Sequence, residues 1–317
     1  MNYARSTAVV VEARSASDRQ GGSGFVLKRA GPYAIVATNR HVVVEDSGRP
    51  FSDFRILTAS GVPGSALLLF VEPDVNVDFA LLAIRDDHNA LAQEVQVAER
   101  ADVGSYVVCV GSPLESPLMS FDGHLTWVSG QEGLFAADCV GERGSSGGPV
   151  FDANNKVVGI IARGIRFPST GREEIGGSLL SRYMKRLSIH ATNVAADRVW
   201  QDSTIAVAAG DQVQILASGS WHCGFGCGHV SAAGRTGYAT RSYDARFPHA
   251  ALLVRVTGSE RTDCVCKASP AAMDRSAAVA SFAADRRGTL ELRPNDNDYG
   301  NNVGRMSVLV VVKRNGS

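Results

Sequence analysis

With 317 residues and 44% apolar side chains, the chain is long enough for two domains and apolar enough to give each a core. Its 32 basic side chains balance 32 acidic ones, so neither a nucleic acid nor an anionic membrane is expected as main partner. No apolar run approaches the roughly 20 residues of a membrane span. Met1-Asn2-Tyr3-Ala4-Arg5-Ser6 lacks the basic start and apolar core of a secretory signal, which sets a cytoplasmic expectation.

Residues 6–85 read as short strands at 6–12, 24–28, 34–38, 54–57, 66–70 and 79–84. Turn signals such as Gly31-Pro32 and Ser47-Gly48-Arg49-Pro50 separate them, as suits a small antiparallel barrel. A segment rich in Asp, His, Ala and Glu (86–102) leads to a second set at 106–110, 124–128, 135–139, 148–151, 157–161 and 175–179. Residues 181–190 then read as a short amphipathic helix, 191–202 as a linker, and 203–312 as a further all-β unit of sandwich type.

The chemistry centres on Gly144-Ser145-Ser146-Gly147-Gly148-Pro149. Glycines on both sides of Ser146 let backbone N–H groups approach a substrate carbonyl, but a serine hydroxyl needs a base and a group to hold that base. Upstream, His41 follows one strand-like run and Asp78 opens another. Taken singly, each residue reads as packing, cap or loop; in the order His, Asp, Ser, with strands flanking each, they read as a triad.

These motifs resemble the trypsin-fold serine proteases, and within them the bacterial HtrA-like branch. Ser23-Gly24-Phe25-Val26, Thr38-Asn39-Arg40-His41-Val42-Val43, Val108-Cys109-Val110-Gly111-Ser112-Pro113 and Val157-Val158-Gly159-Ile160 fall in that branch's order, over about residues 5–190. The resemblance implies an all-β, chymotrypsin-like double barrel (1–190) with a closing helix, cleaving peptide bonds in a protein or peptide substrate. Its catalytic residues would be His41, Asp78 and Ser146, and its oxyanion hole the Gly144 and Ser146 N–H groups with Ser145 between them. Digestive-type members carry Asp before the nucleophile to pair with a newly cut N-terminus. Ser145 has no charge for that pair, so N-terminal activation is not expected. Val140, at the position that forms the floor of the specificity pocket, is no acid and implies a small or medium apolar preference. No cofactor is needed for this chemistry. The alternative is a catalytically silent protease-fold scaffold acting as a binding protein, against which an intact triad speaks.

The family usually carries a PDZ domain next; residues 203–317 show no such pattern and resemble instead the PA-IL type of galactose-binding lectin. The resemblance rests on Gly210–Trp221, on Phe247-Pro248-His249-Ala250 and on Asn295-Asp296 followed by Tyr299-Gly300-Asn301-Asn302-Val303-Gly304. It implies a lectin-like β-sandwich that locates or gates the protease, with a carbohydrate or other small ligand at Trp221, Phe225, Asp296 and Asn301. Ca²⁺ would be held by Asp296, Asp298, Asn301 and Asn302, whose oxygens suit it; the alternative is a tight Asn/Asp/Gly turn. Cys223, Cys227, Cys264 and Cys266 admit zinc, two disulfides or separate thiols, the last being first choice for a cytoplasmic chain.

Overall fold

The computed structural model describes residues 6–58, 63–74, 77–86, 91, 93–112, 117–140, 143–166, 173–224, 226–268 and 277–315. It divides into two units, Met1–Lys185 and Arg186–Ser317.

The first unit opens with β1 (Ala8–Arg14), β2 (Arg19–Ala30) and β3 (Tyr33–Thr38), then β4 (Asp53–Leu57), β5 (Pro63–Val71) and β6 (Ala80–Arg85). They close into an antiparallel barrel in the order β1-β2-β3-β6-β5-β4. Alternate side chains such as Val9, Val11, Val26, Val36, Ile56 and Leu82 fill it. A one-turn helix α1 (Arg40–Val43) follows β3 directly. The register Thr38↔Ala80 sets the end of β3 beside the start of β6, so His41 and Asp78 emerge at one end of the barrel.

A second ring follows: β7 (Gln96–Val97), β8 (Tyr106–Gly111), β9 (Met119–Ser129), β10 (Leu134–Ala137), β11 (Pro149–Asp152), β12 (Lys156–Arg166) and β13 (Glu173–Leu179). The sheet runs β11-β8-β9-β10-β13-β12-β7, and the extra β11–β12 pairing closes six of the seven strands on themselves. Val107, Leu125, Phe135, Val150, Ile161 and Ile175 form its core. A disulfide joins Cys109 in β8 to Cys139 just after β10. These are the two barrels of a chymotrypsin-like fold. The closing helix is shorter than expected: α2 spans only Leu180–Met184. Tyr183 stacks on Phe79, next to Asp78, at 4.6 Å between ring centroids.

The second unit is a sandwich of two sheets. One has the order β14 (Leu187–Ala195), β23 (Val303–Lys313), β16 (Gln212–His222), β21 (Ala278–Ala283), β20 (Lys267–Ala268), with β17 (His229–Val230) pairing β16. The other is β15 (Gln201–Val207), β22 (Gly288–Pro294), β18 (Leu252–Val256) and β19 (Asp263–Val265). Val213, Ile215, Val308, Val310 and Val312 face Leu252, Val254, Val256, Leu290 and Leu292 in its core, the period-two pattern of half-buried strands. Residues 187–195 correct the expected helix and linker: they pair along their whole length with β23.

Candidate active site

The active-site candidates are built from both barrels. His41 Nδ1 lies 2.7 Å from Asp78 Oδ2, and the His41 backbone N–H donates to Asp78 Oδ1 at 3.0 Å. The carboxylate therefore fixes both the ring and the start of α1, and the imidazole tautomer with hydrogen on Nδ1 leaves Nε2 as the base. Asn39 Nδ2 donates to the Asp78 carbonyl at 2.8 Å and ties the two segments together from the backbone side.

Ser146 stands between Gly144 (φ 95°) and Gly147 (φ 88°), in a turn that a chain of ordinary residues would not adopt. At Gly147 a Cβ would be built into the Ser23 carbonyl oxygen, so only glycine lets the turn approach β2 so closely. Gly147 N–H donates to Ile161 O and Ile161 N–H to Gly148 O, which anchors the turn on β12. Ser146 Oγ donates to the Ala162 carbonyl at 3.1 Å. Rotation about its χ1 is what redirects that hydrogen toward a base. Among the described residues the Gly144 and Ser146 N–H groups have no acceptor.

Two positioning groups were not legible as such. Ser23 accepts from Ser112 N–H at 2.9 Å and donates to the Gly144 carbonyl at 2.8 Å, while its own N–H donates to Ser146 O at 2.7 Å. Thr38 Oγ1 closes the set on the Ser23 carbonyl at 2.8 Å. Ser23 and Asn39 lie in the motif stretches already singled out, but which atoms their side chains reach depends on barrel register, which no local pattern carries. Ser145 is buried, its Oγ without a partner. Val140 is 66% exposed.

In the second unit the nominated ligand residues scatter. Trp221 is fully buried and donates Nε1–H to the Ala250 carbonyl at 2.9 Å, so it is a core residue and not a ligand platform. Phe225 lies outside the described residues. Asp296 is buried: Oδ1 accepts from Asp298 N–H at 2.9 Å, Oδ2 from Asn302 Nδ2 at 3.1 Å, and its carbonyl from the Arg293 guanidinium at 2.8 Å. Asn301 Nδ2 donates to Asp298 Oδ2 at 2.6 Å, and Asn302 Oδ1 is buried and unpaired. Ca²⁺ needs six to eight converging oxygens. Here N–H donors and a guanidinium already point at most of them, so these residues do not fit a calcium cage.

Residues 22–160, which include His41, Asp78 and Ser146, match the family described as "Trypsin-like peptidase domain". That stretch is thus similar to the trypsin-like peptidase domains of HtrA/DegP-like serine endoproteases. Among its relatives, the probable periplasmic serine endoprotease DegP-like of Rhizobium meliloti is 30% identical over 148 residues, covering 45% of this chain and 27% of that protein. Periplasmic serine endoprotease DegP of Salmonella typhimurium is 29% identical over 174 residues, covering 53% and 34%. The crystal structure of the serine endoprotease from Yersinia pestis superposes with a TM-score of 0.47 at 22% identity, over 58% of this chain and 63% of that one. The chain spans about a third or less of the length of the curated relatives named here. The cytoplasmic expectation is overturned: these relatives are periplasmic. The expected free thiols fail with it, because all six cysteines are paired, as Cys109–Cys139, Cys223–Cys227 and Cys264–Cys266. No helix among the described residues is long and apolar enough to cross a membrane.

Proposed function

We infer that this chain is a serine endopeptidase of an exported, oxidising compartment, using Ser146 as nucleophile, His41 as general base and acid, and Asp78 as the group that holds the imidazole. The observation that carries the reading is the 2.7 Å His41–Asp78 contact on one barrel, with a glycine-flanked serine on the next. Ser146 Oγ attacks the scissile carbonyl, and its proton passes to His41 Nε2. The oxyanion is met by the Gly144 and Ser146 N–H groups. His41 then protonates the leaving amine, and water repeats the sequence on the acyl-enzyme. Val140, exposed and uncharged, supports a small or medium apolar side chain before the cleaved bond.

The test is cleavage of an unfolded protein substrate by the purified chain and its variants. Ser146→Ala and His41→Ala are each expected to lower kcat by about four to six orders of magnitude. Asp78→Asn is expected to cost about 10⁴ by presenting the wrong tautomer. Undiminished cleavage by Ser146→Ala removes the assignment.

A further inference from the structure

One exposed cation beside the nucleophile has no task in the triad chemistry. β12 passes the Ser146 turn at Ile161, whose carbonyl accepts from Gly147 N–H and whose N–H donates to the Gly148 carbonyl. Up to Ile160 the strand pairs β11 on that side. Beyond Ile161 it pairs only β13 among the described residues, so residues 162–164 present an unpartnered strand edge that starts at the nucleophile. Ser146 Oγ already uses that edge, donating to the Ala162 carbonyl at 3.1 Å. An extended peptide can add to such an edge as a further strand.

A bulge decides which way the next side chain points. Ile161 lies opposite Gly177 and Arg163 opposite Gly176, so Ala162 is the extra residue. Gly177 marks the inner face, because a Cβ there would strike the ring of Phe135, a core residue like Ile161. Without the bulge Arg163 would share the inward face of Ile161, since side chains two apart along a strand point the same way. With it, Arg163 stands on the outer face and is exposed. Its cross-strand neighbour Gly176 has no side chain, and the diagonal neighbour Glu174 is buried and accepts from Thr126 Oγ1. Arg163 forms no ion pair among the described residues. The sheet thus turns a full charge outward beside the open edge and leaves it unmatched.

We propose, resting on the serine-peptidase reading above, that Arg163 is a specificity-determining residue that selects an acidic side chain at the second substrate residue before the cleaved bond. His41 protonates the leaving amine, so the leaving half of the substrate lies toward the first barrel and the acyl half toward β12. An antiparallel strand whose last residue before the bond is opposite Ala162 has its second residue back opposite Arg163 and its third opposite Gly164. Directly opposite side chains on one face of a sheet come within about 4.5–5.5 Å at Cβ, and opposite charges there attract. The third residue back points to the other face, away from Arg163. A diffuse field makes no such distinction. Arg143, next to Gly144, is exposed and unpaired among the described residues, and Arg40, next to His41, donates from Nη1 to the Glu72 carbonyl at 3.0 Å. Those two cations attract an acid at any substrate position, whereas the pair with Arg163 depends on register.

Peptides that share one small apolar residue before the bond are compared on the full chain, with Glu, Gln or Lys at the second residue back and, in a second set, at the third. Rates are taken per Ser146 labelled by a fluorophosphonate, which corrects each variant for misfolded protein. At the second position kcat/KM is expected to be about three- to fivefold higher for Glu than for Gln and about tenfold higher than for Lys, the contrast shrinking in high salt. At the third position the three should agree within about twofold. Arg163→Gln should level the first set, and Arg163→Glu should reverse its order. Equal rates at the second position in the parent, an acid preference of the same size at both positions, or a preference that survives Arg163→Gln each overturn the proposal and leave the peptidase reading standing. A folded parent that neither takes the label nor cleaves any peptide removes that reading and the proposal with it.

Discussion

Four hydrogen bonds converge on Ser23, and two of them end on the carbonyls of Gly144 and Ser146. Those carbonyls belong to the Gly144–Ser145 and Ser146–Gly147 peptide planes, so holding them fixes the C-terminal side of each residue whose own N–H would meet the oxyanion. Ser23 is therefore a positioning residue. Ser23→Ala is expected to lower kcat about tenfold to a hundredfold with little change in KM, because the oxyanion contact strengthens only in the transition state. A change confined to KM, or to thermal stability alone, would reduce Ser23 to a structural role. Asp211 in the second unit plays a purely structural part. Burial raises its pKa, but the N–H groups of Ala208 and Asn315 and the Arg314 guanidinium outweigh that and hold it below the ordinary carboxylate range. A depressed folded pKa adds stability that is fully present above the unfolded value, about 3.9, and is lost as pH falls through the folded one. Asp211→Asn should therefore cost about 2 kcal/mol at neutral pH and flatten the acid limb of the unfolding curve.

Among the elements, the Cys109–Cys139 bond closes the longest loop of the three disulfides and joins β8 to the chain after β10. Replacing both cysteines by serine is expected to remove roughly 3–4 kcal/mol, read as a lower denaturant midpoint. The Cys264–Cys266 pair, at a separation of 2, should cost much less. Strand existence was largely legible, because runs such as Ala80-Leu81-Leu82-Ala83-Ile84 and Val308–Val312 are apolar and bounded by turn residues. The short β7, β17, β19 and β20 were not read, and the longest strand missed is β14. Its alternation, with Leu187, Ile189 and Val194 buried and His190, Ala191 and Asn193 more open, is too polar to stand out, and its pairing with β23 lies over a hundred residues away. Likewise the strand ends that carry His41 and Asp78 and the glycine turn that carries Ser146 were legible from their flanks. The disulfide pairing, the burial of Trp221 and the reach of Ser23 depend on packing between distant strands. No window of sequence holds that information.

For the molecule as a whole, the division at Lys185 leaves His41, Asp78, Ser146 and their hydrogen-bond partners Ser23, Asn39 and Ala162 in one unit. A chain ended after Lys185 is expected to turn over a short peptide as the full chain does. Altered turnover would instead show that the sandwich biases an active/inactive equilibrium in the protease. The central claim is that Ser146 is a nucleophile activated through His41 and Asp78, and covalent trapping tests it most directly. The native chain is treated with a fluorophosphonate, digested, and the adduct located by mass spectrometry. The account predicts one adduct, on Ser146, absent after denaturation and in His41→Ala. An unlabelled Ser146 in a folded, peptide-cleaving protein, or an adduct on another residue that accounts for the lost activity, would contradict it.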